Sequence, residues 1–520
     1  MGKQSLNLKL VIKLLGILLF LESFAMSVSG LVAWFYGGDD VKWFALSIVI
    51  TTFCGLVFYL TGKKADLVYI GKREGYFFVT FVWVLFSLFG MLPFYLGGYI
   101  PTITDAYFET MSGFTTTGTT VMTQIEIMPH GILFWRSLTQ WLGGTGVIML
   151  SLAIMPLLNM DNPHSFAAEV QGQTVDKLQP RIISTARIVC FLYIVITLIE
   201  TILLNLAGMN LFDAVCHAFT SMATGGFSTK DSSIGWFNSP TIEYILIAFM
   251  FIAGTNFLLI FWTSTGKLKL LAASREESPI PKRNPVFCSL TPPQAAGNAL
   301  AEFKKMHHND EFIGYLFIVL IASAVLTFGL WYSEGFQLPD AIRTALFHIV
   351  SFMTTTGYTT TVYGNWVPLL WGMFLLIMLI GGMSGSTAGG LKVARVIICL
   401  RHCTCELKKV IHPNAVFPVR YNGNNLHPSI VSAALGFMTL YFLLIFGGVA
   451  ILMSQGIQLV DALGAVISCI SNVGPGFGVF SQSFFALPDL STWTLSFLMI
   501  AGRLEVITVL LLIMPDFWKK

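Results

Sequence analysis

Apolar runs of about 20 residues recur along the chain, and short polar segments separate them. A run of that length is enough for a helix to cross a hydrocarbon core of about 30 Å. The first run follows basic residues, as in a signal peptide, but it continues to Phe35 and is therefore predicted to be a retained transmembrane helix. The pattern predicts ten spans, near residues 10–35, 43–61, 77–96, 132–158, 188–208, 241–265, 312–332, 366–400, 430–454 and 491–514.

A short element between spans occurs four times. Each copy begins with Asp-Ala, continues for the length of a short helix and ends in a turn that contains glycine. The copies are DAYFETMSGFTTTGTT (105–120), DAVCHAFTSMATGGFS (213–228), DAIRTALFHIVSFMTTTGYTT (340–360) and DALGAVISCISNVGPGFG (461–478). Alignment on the turns makes Gly118, Gly225, Gly357 and Gly474 equivalent. A long internal repeat flanked by two spans each time indicates a repeated membrane unit.

The repeats define the predicted fold class. We expect an all-α polytopic membrane protein with two N-terminal helices, followed by four M1–pore helix–M2 repeats in a pseudo-fourfold arrangement around one pore. The predicted divisions are 1–76 for the two-helix domain, 77–187 for repeat 1, 188–311 for repeat 2 with a cytoplasmic linker, 312–429 for repeat 3 with a gate loop, and 430–520 for repeat 4. The linker, near 266–311, is either a solvated tether or a surface that docks a partner.

Composition and charge agree with a membrane protein. The chain is 55% hydrophobic and 11% charged, whereas an ordinary soluble domain is roughly 25% charged. Most of the Lys and Arg residues lie on alternate connections and at both termini, and the opposite connections carry only Lys42, Lys230 and Arg343. The positive-inside rule therefore predicts cytoplasmic termini and loops that open outward. The eight cysteines are scattered and indicate no disulfide framework.

The residues at the four turns are uncharged. Cation coordination there would have to use main-chain carbonyl oxygens, which can replace the hydration shell of K⁺, whereas an anion pore would need Lys or Arg. Glycine allows the backbone angles that turn a carbonyl inward. Four equivalent copies disfavour the alternative that the turns are only loop punctuation. The candidate ion-binding residues are Thr116, Thr117, Gly118, Ala223, Thr224, Gly225, Thr355, Thr356, Gly357, Asn472, Val473 and Gly474.

The second helix of repeat 3 contains the segment GGMSGSTAGG at 381–390. Its five glycines disfavour a continuous helix, although a patch of small residues for close helix packing is an alternative. Three basic residues also lie at membrane depth, where charge is costly and faces the protein interior or water. Arg136, with Gln140 one turn later, is expected to hold the first pore helix. Lys392 either contacts the glycine-rich segment or reaches the cytoplasmic face, and Arg503 faces the pore or pairs with a carboxylate such as Glu505.

These motifs resemble a known family. The four turns, with FWRSLTQWLGGTGVIML (134–150), GGMSGSTAGGLKVAR (381–395) and AGRLEVITVLLL (501–512), are similar to the TrkH/KtrB/HKT superfamily of potassium transporters over essentially the whole chain. The extra N-terminal helix pair is closer to the bacterial TrkH branch than to KtrB. The resemblance implies that the turns form a selectivity filter that binds the transported K⁺. In this family glycine at all four filter positions accompanies K⁺ preference, and serine in the first copy accompanies Na⁺ transport.

The resemblance also assigns the remaining candidate residues. It implies that an intramembrane loop beneath the filter acts as a gate and that Arg503 is a charge lining the pore below it. The candidate gate residues are Gly381, Gly382, Ser384, Gly385, Ser386, Gly389, Gly390 and Lys392. It further implies a homodimer in the lipid of a bacterial inner membrane and a cytosolic TrkA-type nucleotide-binding regulatory subunit. No nucleic acid partner is expected.

The sequence therefore predicts potassium uptake through a gated filter, without an organic cofactor in this chain. The alternative within the superfamily is a Na⁺-permeable or Na⁺-coupled transporter. A more distant alternative, an intramembrane enzyme, would need convergent reactive groups at membrane depth. The four repeat aspartates at 105, 213, 340 and 461 instead suit helix N-caps. We therefore predict that the protein is not an enzyme.

Overall fold

The computed structural model describes residues 7–63, 72–158, 179–261, 263, 309–481, 483–485 and 487–519. Nearly all of the regular structure in this part of the chain is helical, and its one strand pair joins Arg420–Tyr421 to Asn424–Asn425. The linker predicted near 266–311 lies almost wholly outside the described residues. The helices are α1 (Leu8–Phe35), α2 (Val41–Thr61), α3 (Lys72–Gly90), α4 (Leu92–Leu96), α5 (Ile103–Phe114), α6 (His130–Leu158), α7 (Gln179–Leu206), α8 (Leu211–Met222), α9 (Pro240–Ala253), α10 (Asp310–Ser333), α11 (Leu338–Met353), α12 (Pro368–Ile380), α13 (Val393–Ile411), α14 (Pro428–Ser454), α15 (Leu459–Ser471), α16 (Asp489–Arg503), α17 (Val506–Ile513) and α18 (Pro515–Trp518).

Four three-helix units follow the N-terminal pair α1 and α2. Each unit has a first helix, a short pore helix and a second helix, and the units are α3–α5–α6, α7–α8–α9, α10–α11–α12 and α14–α15–α16. The second helix of each unit packs against the pore helix of the next: α6 on α8, α9 on α11, α12 on α15, and α16 back on α5. This pattern returns to its starting unit. The predicted pseudo-fourfold architecture around one axis is therefore confirmed.

Among the described residues, six helices are long and apolar enough to cross a membrane, and a seventh span results if the bent pair α16 and α17 is counted as one. The six are Leu8–Phe35, Val41–Thr61, Arg73–Leu96, Ala186–Leu206, Asp310–Ser333 and Pro428–Ser454. They are the N-terminal pair and the first helices of the four repeats. These segments agree with the spans predicted from hydropathy.

The second helices of repeats 2, 3 and 4 are interrupted. Only the break in repeat 3 was predicted, so the single unbroken helices expected near 241–265 and 491–514 are corrected to helices that are each broken once. In repeat 2, α9 ends at Ala253, and Asn256 Oδ1 accepts hydrogen bonds from the backbone N–H groups of Leu258 (2.9 Å) and Leu259 (3.2 Å). This arrangement starts a new helical segment. In repeat 4, α16 and α17 meet at a bend of 119°.

The aspartates that begin the repeats lie in the first turn of each pore helix but are not its N-caps. The caps of α5 and α8 are Thr102 and Asn210, whose side-chain oxygens accept the backbone N–H groups of Asp105 (3.0 Å) and Asp213 (2.7 Å). The aspartate carboxylates in turn accept bonds from those cap side chains at 2.7 and 2.8 Å. Acidic residues in the first turn also interact favourably with the helix dipole. The N-cap expectation is therefore corrected by three residues at these two helices.

The N-terminal pair holds the second helix of repeat 1. Helix α1 packs against α2 and α6, and the buried Asp40 before α2 accepts a hydrogen bond from Ile132 N (3.2 Å) in the first turn of α6. A carboxylate at a helix N-terminus satisfies a free N–H group and interacts with the positive end of the dipole. Asp40 therefore links the two-helix domain to the helix that carries Arg136 and Gln140.

We predict that Asp40→Ala lowers the stability of the folded protein by about 1 kcal/mol, because the first turn of α6 loses its carboxylate acceptor. The thermal unfolding midpoint of detergent-purified protein measures this effect. Asp39→Ala is the matched control because Asp39 is the neighbouring, exposed carboxylate. Equal midpoints for the two variants would contradict the role of Asp40.

Candidate functional site

The four turns share one backbone conformation. The first turn residue is left-handed in each loop: Thr116 (φ 52°), Thr224 (φ 53°), Thr355 (φ 59°) and Asn472 (φ 55°). A left-handed glycine follows two residues later: Gly118 (φ 85°), Gly226 (φ 74°), Gly357 (φ 79°) and Gly474 (φ 109°). Non-glycine residues rarely adopt positive φ. Its recurrence at the same place in four loops indicates one shared design.

This pattern corrects the predicted alignment of loop 2 by one residue. Gly226, and not Gly225, is equivalent to Gly118, Gly357 and Gly474. Gly225 is then equivalent to Thr117, Thr356 and Val473, and Ala223 is the C-cap of α8, before the turn. The sequence contains two adjacent glycines, and only the backbone angles distinguish them. The turn of loop 2 therefore consists of Thr224, Gly225 and Gly226.

The four left-handed glycines close a ring. A Cβ atom built on Gly118 would lie 2.0 Å from Gly225 O, one on Gly226 1.8 Å from Thr356 O, one on Gly357 2.0 Å from Val473 O, and one on Gly474 2.8 Å from Thr117 O. Each left-handed glycine thus lies against a carbonyl oxygen of the next loop. That oxygen belongs to the residue just before the left-handed glycine of that loop. The contacts run from loop 1 to 2, 3, 4 and back to 1. We call this set of four turns the carbonyl ring.

A polar vestibule lies on one side of the carbonyl ring. Its cavity volume is about 230 Å³, and all four left-handed glycines line it, together with hydroxyl residues such as Thr119 and Ser228. The turn side chains on the other side are buried, among them Thr116, Thr355 and Asn472. Each pore helix ends at or just before its turn, so its carbonyl end points toward the ring. The arrangement places partial negative charge at a site that holds no charged side chain.

Helix α6 supports the first two loops from behind. The Arg136 guanidinium donates to Glu109 in pore helix α5 (2.7 Å) and to Ser228 O in loop 2 (2.8 Å). Glu109 also accepts bonds from Val121 N (2.9 Å) and the Thr120 hydroxyl (3.0 Å). Arg136 therefore holds the first pore helix, as predicted. Gln140 does not, because its bonds go to loop 2.

The predicted interruption of the second helix in repeat 3 is present. The backbone between α12 and α13 is irregular, and Gly381, Gly385 and Gly390 have φ between 74° and 76°. We call residues 381–392 the intramembrane loop. Its Gly389 N donates to the Thr355 hydroxyl (2.7 Å), and its Thr387 hydroxyl lies 3.1 Å from Met222 O at the end of α8. The loop therefore lies directly against the buried side of the carbonyl ring.

The remaining predicted gate residues are held within this loop. The Ser384 carbonyl accepts a bond from the Asn256 amide (2.7 Å), and the Ser386 hydroxyl donates to Met383 O (2.5 Å). Lys392 donates to Ala388 O (2.7 Å). Of the two alternatives for Lys392, the structure favours contact with the loop.

Arg503 also contacts the intramembrane loop. Its Nη1 donates to Thr387 O (2.7 Å), and the side chain is buried. The alternative of an ion pair with Glu505 is wrong, because Glu505 pairs with Arg395 at 2.7 Å. Arg503 Nε and Nη2 have no hydrogen-bond partner among the residues that the structure describes. A buried positive charge therefore stands next to the loop, and no carboxylate of the described residues forms an ion pair with it.

Two residues outside the predicted set hold the intramembrane loop. Glu311 accepts bonds from Ser384 N within the loop (2.6 Å) and from Ala394 N in the first turn of α13 (3.3 Å). Asn256 reaches it from the break in repeat 2. Glu311 follows Asp310 at the start of an apolar helix, where both resemble ordinary first-turn acids. Only its burial distinguishes it, and burial is not readable from that pattern.

Comparison with known proteins gives a consistent result. Residues 42–520 match a family model described as TrkH, cation transport protein. The chain is 34% identical over 519 residues to the Trk system potassium uptake protein TrkH of Escherichia coli strain K12, covering 99% of this chain and 100% of that protein. It is 33% identical to the TrkH protein of Vibrio parahaemolyticus, covering 98% and 99%. The crystal structure of the potassium transporter TrkH from Vibrio parahaemolyticus superposes with a TM-score of 0.85 at 32% identity, covering 99% of this chain and 100% of that one.

We predict that Glu109→Gln destabilises the protein by about 3 kcal/mol, because it leaves the buried Arg136 without its carboxylate. The midpoint of thermal unfolding in detergent measures the loss. Glu406→Gln is the control, since Glu406 pairs with Lys409 on an exposed face and its removal should leave the midpoint unchanged. A Glu109→Gln midpoint equal to that of the control would show that the buried pair does not stabilise the fold.

Proposed function

Because the chain belongs to the TrkH family of cation transport proteins, within the TrkH/KtrB/HKT superfamily, we propose that it takes up K⁺ through the carbonyl ring. It is a transporter and not an enzyme. The relatives named above are called potassium uptake proteins. The observation that carries the proposal for this chain is the closed ring of four turns, each with a glycine against the carbonyl of the next loop.

The ring has the chemistry that dehydrated K⁺ requires. Its turn residues are uncharged, and main-chain oxygens can replace the water around the ion. The four pore helices direct their carbonyl ends toward the same place, which favours cations over anions. The proposed filter residues are Thr116, Thr117 and Gly118, Thr224, Gly225 and Gly226, Thr355, Thr356 and Gly357, and Asn472, Val473 and Gly474. Gly226 is added to the predicted set, and Ala223 precedes the corrected turn.

We assign the intramembrane loop as the gate. Gly389 bonds to Thr355 of the carbonyl ring, and Thr387 bonds to Met222 at the end of α8. These contacts support the role of a gate, since a loop at that position obstructs the path below the filter. Arg503 adds a buried positive charge next to the obstruction. A cation passing this point meets both the backbone of the loop and electrostatic repulsion.

The cellular setting follows from the family and from charge. We propose a multi-pass protein of the bacterial inner membrane with both termini in the cytoplasm, so that the vestibule faces outward. We also propose a homodimer that binds a cytosolic TrkA-type nucleotide-binding subunit. The basic connections on the cytoplasmic side are the surface that suits such a partner.

Gly118→Ser tests the filter directly. We predict that the K⁺ over Na⁺ flux ratio falls about tenfold or more, because a Cβ atom at this left-handed position would lie 2.0 Å from Gly225 O and displace a carbonyl of the ring. Flux of K⁺, Rb⁺ and Na⁺ into liposomes containing the purified protein measures the ratio.

Gly335→Ser is the matched control for Gly118→Ser. Gly335 is also left-handed (φ 71°), but a Cβ atom there would meet open space, so the variant should keep the wild-type ratio. Equal Na⁺ and K⁺ flux in the wild-type protein would contradict K⁺ selectivity and favour the Na⁺-permeable alternative.

Arg503→Gln tests the charge at the gate. We predict that K⁺ flux rises by roughly tenfold while the K⁺ over Na⁺ ratio is unchanged, because the variant removes a positive charge beside the loop and leaves the residues of the carbonyl ring in place. The same liposome assay measures both quantities. Lys409→Gln removes an exposed positive charge from the last turn of α13, at the opposite end of that helix from the loop, and should leave flux unaltered. A fall in flux with Arg503→Gln would exclude repulsion as the role of Arg503.

A further inference from the structure

We propose that Gln140 is a positioning residue for K⁺ over Na⁺ discrimination, because it fixes the second loop of the carbonyl ring. The inference rests on the proposed filter function of that ring. Gln140 lies in α6, in repeat 1, and it acts on the loop of repeat 2, which is 85 residues away in sequence.

The amide of Gln140 binds loop 2 on both sides of Gly226. Its Nε2 donates to Gly225 O (2.8 Å), and its Oε1 accepts from Phe227 N (3.1 Å). The side chain is fully buried. A reversed amide would place oxygen against a carbonyl and N–H against N–H, so these two partners define a single orientation. Gln140 thus restrains the backbone immediately before and after the left-handed glycine.

Gly225 O belongs to the carbonyl ring, where it lies against Gly118. Its equivalents are the oxygens of Thr117, Thr356 and Val473. Within the described parts of the chain, Gly225 O is the one ring oxygen of these four that accepts a side-chain hydrogen bond. The direction of this carbonyl is therefore set by a residue outside its own loop.

Loop 2 lacks a pair of hydroxyl groups that loops 1 and 3 contain. In loops 1 and 3 the hydroxyl of the residue before the glycine meets a hydroxyl two residues earlier: Thr117 with Thr115 (2.7 Å) and Thr356 with Thr354 (2.8 Å). The equivalent residues of loop 2 are Gly225 and Ala223, which carry no hydroxyl. The Gln140 amide replaces the missing pair.

The identity of Gly225 agrees with this role. A Cβ atom on Gly225 would lie 2.4 Å from Gln140 Cδ, so the glutamine occupies the space that a side chain takes in the other loops. Unlike Gly226, Gly225 does not have a left-handed backbone. Glycine is thus required here for space and not for φ.

Arg136, one turn earlier on α6, restrains the next part of the same loop. It donates to Ser228 O (2.8 Å), and its guanidinium lies over the Phe227 ring at 3.6 Å. Gln140 and Arg136 together hold loop 2 from Gly225 to Ser228. The position of one quarter of the carbonyl ring therefore depends on α6.

The first test is Gln140→Leu, which keeps the side-chain volume but removes both hydrogen bonds. We expect the K⁺ over Na⁺ flux ratio in liposomes to fall about tenfold, because an untethered carbonyl can move toward the smaller ion. The control is Ser496→Ala, which removes a buried hydroxyl of α16 whose one hydrogen bond within the described residues goes to Thr492 O in its own helix. The control should keep the wild-type ratio.

The second test separates hydrogen bonding from space filling. Gly225→Ala alone should lower the unfolding midpoint, because its methyl group collides with Gln140. Adding Gln140→Ala should raise the midpoint above that of Gly225→Ala by removing the collision, but it should not restore the ion ratio, because the amide is absent. This double variant also supplies the measurement if Gln140→Leu does not fold.

The outcomes are distinct. A wild-type ratio in Gln140→Leu, or a recovered ratio in the double variant, overturns the role of the Gln140 amide while leaving the filter intact. Absence of K⁺ over Na⁺ discrimination in the wild-type protein overturns the proposed function itself. A reduced ratio in both Gln140 variants, with wild-type discrimination and an unaffected Ser496→Ala control, supports the inference.

Discussion

The structure depends on one steric constraint, the absence of a Cβ atom at four left-handed positions. With a side chain, each of these glycines would bring Cβ within 1.8–2.8 Å of a carbonyl oxygen of the next loop. An L-residue would also be strained by the positive φ. Each loop contacts the next loop through its glycine and the previous loop through its carbonyl oxygen. Displacement of the backbone in one loop therefore affects the other three. Four separate turns therefore behave as one site.

The backbone of the ring is nearly fourfold, but its support is not. Loops 1 and 3 use pairs of threonine hydroxyls, and loop 2 uses Gln140. In loop 4, the Asn472 amide donates to the Thr117 hydroxyl (2.9 Å) and to Met499 O (3.0 Å). In a single chain each repeat can acquire its own side-chain supports, provided that the carbonyls keep their positions. The four repeats share the geometry of the main chain, and different side chains stabilise it in each.

Much of this architecture is encoded locally. Hydropathy identifies the N-terminal pair and the first helices, and the Asp-Ala/Gly repeat identifies the pore helices, because both signals lie within short windows. The register of loop 2 is not encoded in this way, since Gly225 and Gly226 are the same residue type and differ only in φ and in the approach of Gln140. The roles of Gln140 and Glu311 depend on partners more than 70 residues away. The break at Asn256 lies in an apolar segment without a cluster of glycines, so hydropathy predicts a continuous helix there.

The three interrupted helices form one structural feature. A helix that stops leaves carbonyl groups without partners. At the end of α9, Gly254 O accepts Met383 N (2.9 Å), and Ala253 O lies 3.2 Å from the Thr387 hydroxyl. The break after α16 brings Arg503 to Thr387 O. Irregular backbone at membrane depth is stable only when protein groups satisfy it, and here the breaks in repeats 2 and 4 supply those groups to the loop of repeat 3. If this loop moves, its hydrogen bonds with repeats 2 and 4 must break and be replaced. Opening of the gate therefore involves three of the four repeats.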